Sequence, residues 1–361
     1  MRQLVRWRWP VLGVVGVLLV GAGIAVYRHG DIAGWWARPS VHDVPEVEPA
    51  SVETVAKGLA VPWDLAFLPD GSALVTERVT GRLRRIAPSG RVSEVRTFDE
   101  IDPASASMGG LQGLALSPSY AEDGWVYVYY TGRDDSRVVR FRLDAAAEPE
   151  PVLTGIPAGN IHNGGRIRFG PDGMLYVTTG EADRRAPAQD RGDLGGKILR
   201  VTPEGAPAPG NPDPSSPVYA WGWRDPQGLA WDEEGRLYAT EFGFNKLDEL
   251  NVVEPGKDYG WPEAEGPADD DDLTDPIATW RPKDASPSGM TFAGGSIWIA
   301  CLRGERLYRI DPDGSADSAQ QLLTHRYGRL RLVTEAPDGS LWVLTNDRKD
   351  ADGDLVLRLV P

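Results

Sequence analysis

Apolar and polar positions along the chain fall into a phrase that repeats six times. Each copy has an apolar run, a tight turn, and then an alternating run centred on Leu-Tyr or Trp. The turns lie at Asp70-Gly71, Asp123-Gly124, Asp172-Gly173, Glu234-Gly235, Gly294-Gly295 and Asp338-Gly339. Behind them come residues 73–77, 125–130, 175–179, 237–241, 297–300 and 341–345. Their period of two predicts half-buried strands, and the Gly-rich turn before each predicts a hairpin. Residues 82–86, 138–142, 197–201, 307–310 and 355–359 alternate with more basic residues and read as outer strands with solvated charges. The last of these is expected to share a sheet with residues 51–56, closing a ring and removing exposed edges. The period and the strand count predict an all-β, six-bladed β-propeller over residues 51–361.

The first fifty residues differ in kind. Arg2, Arg6 and Arg8 form a basic end over residues 1–8, and residues 9–27 are uncharged and rich in Val, Leu and Gly. That stretch is long enough to span a bilayer, so an N-terminal transmembrane helix is expected; a cleaved signal segment is the alternative. The basic end favours an N-inside orientation, placing the propeller on the extracytoplasmic side of the cell membrane, or secreted if the segment is cleaved. Residues 28–50 carry prolines and mixed charges without periodicity and read as a tether.

Composition narrows the function. A net charge of −15 argues against nucleic acid as a partner. The lone Cys301 can form no disulfide within the chain and no cysteine-based zinc site. Two long loops, 202–220 and 262–288, interrupt the pattern, and the second holds an acidic run at 269–272. The run lacks the spacing of a calcium loop and reads as solvated. Loops of this length often act as lids.

Candidate chemistry sits where residues leave the repeat. His162 precedes Gly164 and Gly165 at the start of a strand, and the hairpin turning at Asp172-Gly173 should return Glu181 to its side. A carboxylate on one ring nitrogen fixes the tautomer and raises basicity at the other, which makes a general base with its orienter. A structural histidine at a blade end is the other reading. Arg224 lies just before an apolar strand, and the loop around Gly243 and Phe244 offers carbonyls to a hard cation or is a plain connection. Arg303, Arg329 and Arg331 flank later strands, either as surface charges or as partners of a carboxylate-bearing ligand. Each position begins or ends an apolar strand, so His162, Arg224, Arg303, Arg329 and Arg331 are expected to converge on the central channel. One base among four cations suits an anionic cofactor and the abstraction of a hydride or proton.

Five motifs in this order carry a family likeness: His162-Asn-Gly-Gly-Arg166, Leu194-Gly-Gly-Lys-Ile-Leu-Arg200, Arg224-Asp-Pro-Gln-Gly-Leu229, Asp248-Glu-Leu-Asn251 and Tyr259-Gly-Trp-Pro262. From Val52 to Leu359 the chain resembles the pyrroloquinoline-quinone (PQQ)-dependent sugar dehydrogenases, which include quinoprotein glucose dehydrogenase, aldose sugar dehydrogenase and sorbosone dehydrogenase-like proteins. The resemblance implies a six-bladed enzyme binding PQQ and Ca²⁺ at the channel mouth. It would oxidise an aldose at C1 to the lactone and pass electrons to an unidentified membrane or soluble acceptor. It implies that His162 is the base and Glu181 its orienter, where Asp is more usual. It also implies that Arg224, Asp225, Arg303, Arg329 and Arg331 bind the quinone, and that the carbonyls of Gly243 and Phe244 bind calcium. The chain departs from the family pattern at several places. Asp225 stands for Asn, Phe244 for Pro and Trp223 for a common His, and Met108 or Gln112 lies where a Gln is usual. These departures leave open a non-catalytic carbohydrate- or ligand-binding propeller. A calcium-dependent lactonase is a further alternative, poorly matched to an arginine-rich pocket.

Overall fold

The computed structural model describes residues 44–101, 108–144, 147–313, 319–346 and 352–360. The chain divides into two units, Met1–Pro39 and Ser40–Pro361, and all the described residues belong to the second. The expected membrane span at 9–27 therefore lies outside the described residues. Among those described, no helix is long and apolar enough to cross a membrane.

Among the described residues, twenty-four strands form six antiparallel four-stranded sheets. Blade one is β2 (Pro62–Phe67), β3 (Ala73–Glu77), β4 (Arg82–Ile86) and β5 (Val92–Thr97), after β1 (Ser51–Leu59). Blade two is β6 (Leu111–Leu116), β7 (Trp125–Thr131), β8 (Ser136–Arg142) and β9 (Glu150–Ile156). Blade three is β10 (Ile167–Phe169), β11 (Leu175–Thr179), β12 (Lys197–Val201) and β13 (Val218–Trp221). Blade four is β14 (Pro226–Trp231), β15 (Leu237–Glu241), β16 (Asp248–Val253) and β17 (Ala278–Trp280). Blade five is β18 (Pro287–Ala293), β19 (Ser296–Cys301), β20 (Arg306–Ile310) and β21 (Gln320–Leu322). Blade six is β22 (Leu330–Glu335), β23 (Leu341–Thr345) and β24 (Asp354–Val360), completed by β1. The expected closure is present: Ser51 pairs with Val360 and Val52 with Leu359.

Period-two alternation works differently from a half-buried strand. In β3, β15 and β19 every residue is buried. Alternate side chains serve two different interfaces. Leu74 packs towards blade two, whereas Ala73 and Val75 pack towards blade six. Ile297 and Ile299 face blade four, while Trp298 and Ala300 face blade six. Six apolar clusters result, one in each gap between neighbouring blades. A blade alone would leave both faces of its middle strands in water, so the ring folds as one body.

The basic strands β4, β8, β12, β20 and β24 are third in their blades rather than outermost. Their arginines are not simply solvated. Arg200 and Arg358 each bond the aspartate of their blade's first turn, Asp172 and Asp338, at 2.7 Å. Arg142 bonds the Asp123 carbonyl at 2.7 Å, and Arg85 bonds Asp70. The repeated Asp and the repeated Arg are thus two halves of one cross-strand tie. The described end of the expected tether is also ordered against the ring. Val47 N–H donates to the Gln321 carbonyl and Gln321 N–H to the Pro45 carbonyl, both at 2.9 Å, so the segment covers the outer edge of blade five.

Polar residues of the innermost strands fill the channel. Arg166 is fully buried, ion-paired with Asp64 at 2.8 Å and stacked 3.9 Å over Trp63. Arg331 Nη1 donates to Gln227 and Ser288, each at 3.1 Å. These contacts link inner strands of several blades across the ring, and Arg331 also lines the cavity described below.

Candidate active site

His162 lies in the connection before β10, and Glu181 in the one after β11. The hairpin β10–β11 brings them together: His162 Nδ1 is 3.0 Å from Glu181 Oε1. The approach depends on Gly180, where a Cβ would sit 1.9 Å from the His162 carbonyl oxygen. Its absence lets Ala182 N–H donate to that oxygen at 2.9 Å. His162 itself holds φ at +54°, a left-handed conformation rare for a side-chain-bearing residue and common at functional sites.

The two ring nitrogens have distinct partners. Arg224 Nη2 lies 2.8 Å from His162 Nε2. A guanidinium can only donate, so Nε2 is the acceptor and the ring proton sits on Nδ1, where it donates to Glu181. The second oxygen of Glu181 accepts the indole N–H of Trp261 at 2.7 Å. Burial pushes the Glu181 carboxyl up, but the bonds from His162 and Trp261 and the charge of Arg224 outweigh it and hold it below its usual value. Glu181 is therefore an anion fixed at both oxygens.

A cavity of about 420 Å³ opens over His162. His162, Arg224, Arg303, Arg329 and Arg331 all line it, contributed by blades three to six and their connections. The expected convergence of five basic side chains is present. Gly243 and Phe244 line the same cavity. Arg224 Nη1 donates to the Phe242 and Gly243 carbonyls at 3.1 and 2.9 Å, and its buried Nε has no hydrogen-bond partner. Glu241, at the end of β15, anchors this arginine from behind by accepting its backbone N–H.

Asp225 departs from the others. Its carboxyl is fully buried and does not line the large cavity; it borders a space of about 10 Å³ beneath, which shares Met108 and Arg331 with it. Oδ1 accepts Gly164 N–H at 2.9 Å, while Oδ2 has no hydrogen-bond partner. Burial pushes this carboxyl up, against the opposing charges of His162, Arg224 and Arg331. Gln112 borders the same small space and donates to the Gly164 carbonyl at 2.9 Å, whereas Met108 reaches the large cavity. Trp223 is fully buried and stacks on Tyr259, with ring centres 4.2 Å apart.

Two site residues escape a reading of the sequence. Asp248 is the carboxylate lining the cavity, held by the N–H groups of Gly243 and Ser286 at 2.9 and 2.7 Å and pushed up to about 6 by burial. Trp261 fixes Glu181. Both lie in motifs that stand out in the sequence, but their roles depend on contacts across the fold.

The donor set fits an anion with several carboxylates: among the described residues, four guanidiniums face one carboxylate, Asp248. For calcium the chain offers the lip carbonyls of Gly243 and Phe244 beside Asp248. That is short of the six to eight oxygens the ion takes, so the ligand and water would have to complete the shell.

The glucose/sorbosone dehydrogenase family pattern matches residues 59–357. A PQQ-bound aldose sugar dehydrogenase structure from Streptomyces coelicolor is 47% identical, with a TM-score of 0.80 over 86% of this chain and 98% of that one. An aldose sugar dehydrogenase of Escherichia coli is 28% identical over 358 residues, 86% of this chain and 92% of the relative. Quinoprotein glucose dehydrogenase B of Acinetobacter calcoaceticus is 29% identical over 284 residues, 67% of this chain and 59% of that protein. With the pattern spanning nearly the whole propeller and the basic residues gathered at its channel, the chain belongs to the glucose/sorbosone dehydrogenase family.

Proposed function

We propose that this protein is a PQQ-dependent dehydrogenase that oxidises an aldose at C1 to its lactone, with His162 as the general base. The observation that carries the reading is the single cavity in which a carboxylate-oriented imidazole meets four guanidiniums. The family and the PQQ-bound Streptomyces relative supply the cofactor. When bound, the quinone supplies the hydride acceptor. Arg224, Arg303, Arg329 and Arg331 would hold its carboxylates, and the Gly243 and Phe244 carbonyls would contribute to a calcium shell. Asp225 does not line the cavity that holds these groups, so its carboxyl does not face the ligand directly.

His162 takes the proton of the anomeric hydroxyl at Nε2, the nitrogen that faces Arg224. Substrate replaces that guanidinium N–H, and Arg224 turns to the anionic ligand. Glu181 stabilises the imidazolium that forms, and Trp261 keeps the carboxylate from rotating away.

The test is to reconstitute the full chain with PQQ and Ca²⁺, record the absorption spectrum before and after a panel of aldoses, and follow dye reduction. Sugar-dependent bleaching of the quinone band and turnover that a chelator abolishes are expected. Absence of both would overturn the reading. The engagement of the Gly243 carbonyl by Arg224 keeps a second reading in play, a binding propeller without redox chemistry. It is supported instead if saccharide binding survives His162→Ala with no turnover in the parent. The anchor over residues 9–27, with the ring outside the cytoplasm, is part of the same proposal. Membrane fractionation of cells making the full chain tests it.

A further inference from the structure

A second, more open hollow of about 570 Å³ adjoins the catalytic cavity. The two share Phe244, Pro282 and Arg303 along a common rim. Beyond that rim Lys246, Arg281 and Lys283 line the hollow. The chain carries a net charge of −15, yet among the described residues this hollow is lined by four cations and no acid.

The pairing pattern sharpens the contrast. Arginines on the blade flanks meet carboxylates, as in Arg200 with Asp172 and Arg358 with Asp338, both at 2.7 Å. Around the hollow, Lys246, Arg281 and Arg303 make no salt bridge among the described residues, and only Lys283 meets an acid, Asp284 at 3.0 Å. Phe244 is 46% exposed, one of three large apolar side chains so exposed among the described residues. Arg185 sits 5.0 Å from the centre of its ring, adding a further cation to the rim. An exposed aromatic face suits the C–H face of a pyranose, and unpaired cations beside it suit an anion. The hollow is concave and of small-molecule size, which favours a small ligand over the broad flat contact of a protein partner.

We propose that this hollow is a subsite for the far end of an anionic saccharide, whose reducing end lies by His162 and whose other end bears a carboxylate or phosphate. The inference rests on the dehydrogenase reading above and names a substrate class for it. Phe244 carries the distal ring, while Lys246 and Arg281 attract the anion. Arg303, on the shared rim, joins the two sites.

The experiment compares kcat/KM of the reconstituted full chain on cellobiose, glucuronosyl-glucose and cellobiose 6′-phosphate, at low and high salt. Two exposed cations acting on one anion are worth about tenfold at low ionic strength, and added salt screens most of that. The charged sugars are therefore expected to exceed cellobiose by about tenfold at low salt, with the advantage lost in high salt. Whichever of uronate and phosphate gains more identifies the anion. The double variant Lys246→Glu/Arg281→Glu should remove that advantage and leave cellobiose within about twofold, since neither residue touches the catalytic cavity. Equal rates on charged and neutral sugars, or a variant that slows all three alike, overturns the subsite. So does a variant whose only defect is with an acidic protein acceptor. Should no sugar be turned over, the dehydrogenase reading fails. Calorimetric titration of glucuronosyl-glucose and cellobiose into the parent and the double variant still decides the subsite.

Discussion

Replacing Glu181 by Gln tests the catalytic reading at its narrowest point. The carboxylate accepts two N–H groups, His162 Nδ1–H at 3.0 Å and the Trp261 indole at 2.7 Å, and each of its oxygens serves one of them. An amide of the same shape has one acceptor and one donor end. If its oxygen faces Trp261, its NH₂ faces Nδ1, so the ring proton must move to Nε2 and the base is in the wrong tautomer. If its oxygen faces His162, the NH₂ opposes the indole N–H, and a neutral acceptor replaces a charged one. A charge-assisted bond is worth about 1.5–3 kcal/mol, or roughly 10- to 150-fold, before any tautomer error. The whole general-base contribution is about 10²–10⁴-fold, which sets the upper bound. Glu181→Gln is therefore expected to lower kcat by about 10²-fold or more while quinone affinity, measured by fluorescence quenching, stays within about twofold, because the arginines are untouched. Glu181→Asp should recover part of the rate: it restores the charge, but one methylene fewer cannot reach both partners. Dye reduction under saturating sugar is the assay. A Gln variant within threefold of the parent would refute the assignment of Glu181 as orienter of the base.

Three further outcomes follow from the same contacts. Trp261→Phe keeps an aromatic ring but removes the indole N–H at Glu181, so kcat should fall by about tenfold with the melting temperature little changed, read by dye reduction and thermal unfolding side by side. Asp225→Asn should stabilise the protein at alkaline pH by about 1–3 kcal/mol, the cost of a buried unsatisfied group. The sign follows from its raised folded-state pKa: the native chain keeps a proton that the unfolded chain releases, so the parent loses stability as pH rises above the usual carboxylate range. The variant's unfolding profile should lack that slope, and a lower melting temperature at every pH would count against it. Lys197→Met should cost about 3 kcal/mol and speed proteolysis of residues 182–196, because Nζ donates to the Pro187, Ala188 and Gly195 carbonyls at 2.6, 3.1 and 2.6 Å from a fully buried position. An unchanged unfolding midpoint in urea would show that the carbonyls find other donors.

The sequence by itself determined the ring. Six turn-and-strand phrases of similar length leave each blade with two apolar faces and no way to cover them alone, and Ser51 and Leu359 stand at opposite ends of a pattern that needs one more strand. It also placed His162 and Glu181 at the two ends of one hairpin, a local relation that antiparallel pairing converts directly into contact. Tertiary structure decided the rest, because the remaining relations join residues far apart in the chain. Trp261 reaches Glu181 across eighty positions, and Asp225 turns below the cavity because Gly164, sixty-one residues earlier, offers it an N–H. Whether a strand arginine is a solvated charge, a tie to its own turn, or a wall of the pocket depends on its place in the blade: Arg200 bonds Asp172, while Arg331 turns inward to Gln227. Alternation says which side of a strand a residue takes, but only the assembled ring says whether that side meets solvent, a neighbouring blade or the channel. That is why the fold could be read from periodicity and the chemistry of Asp248, Asp225 and Trp261 could not.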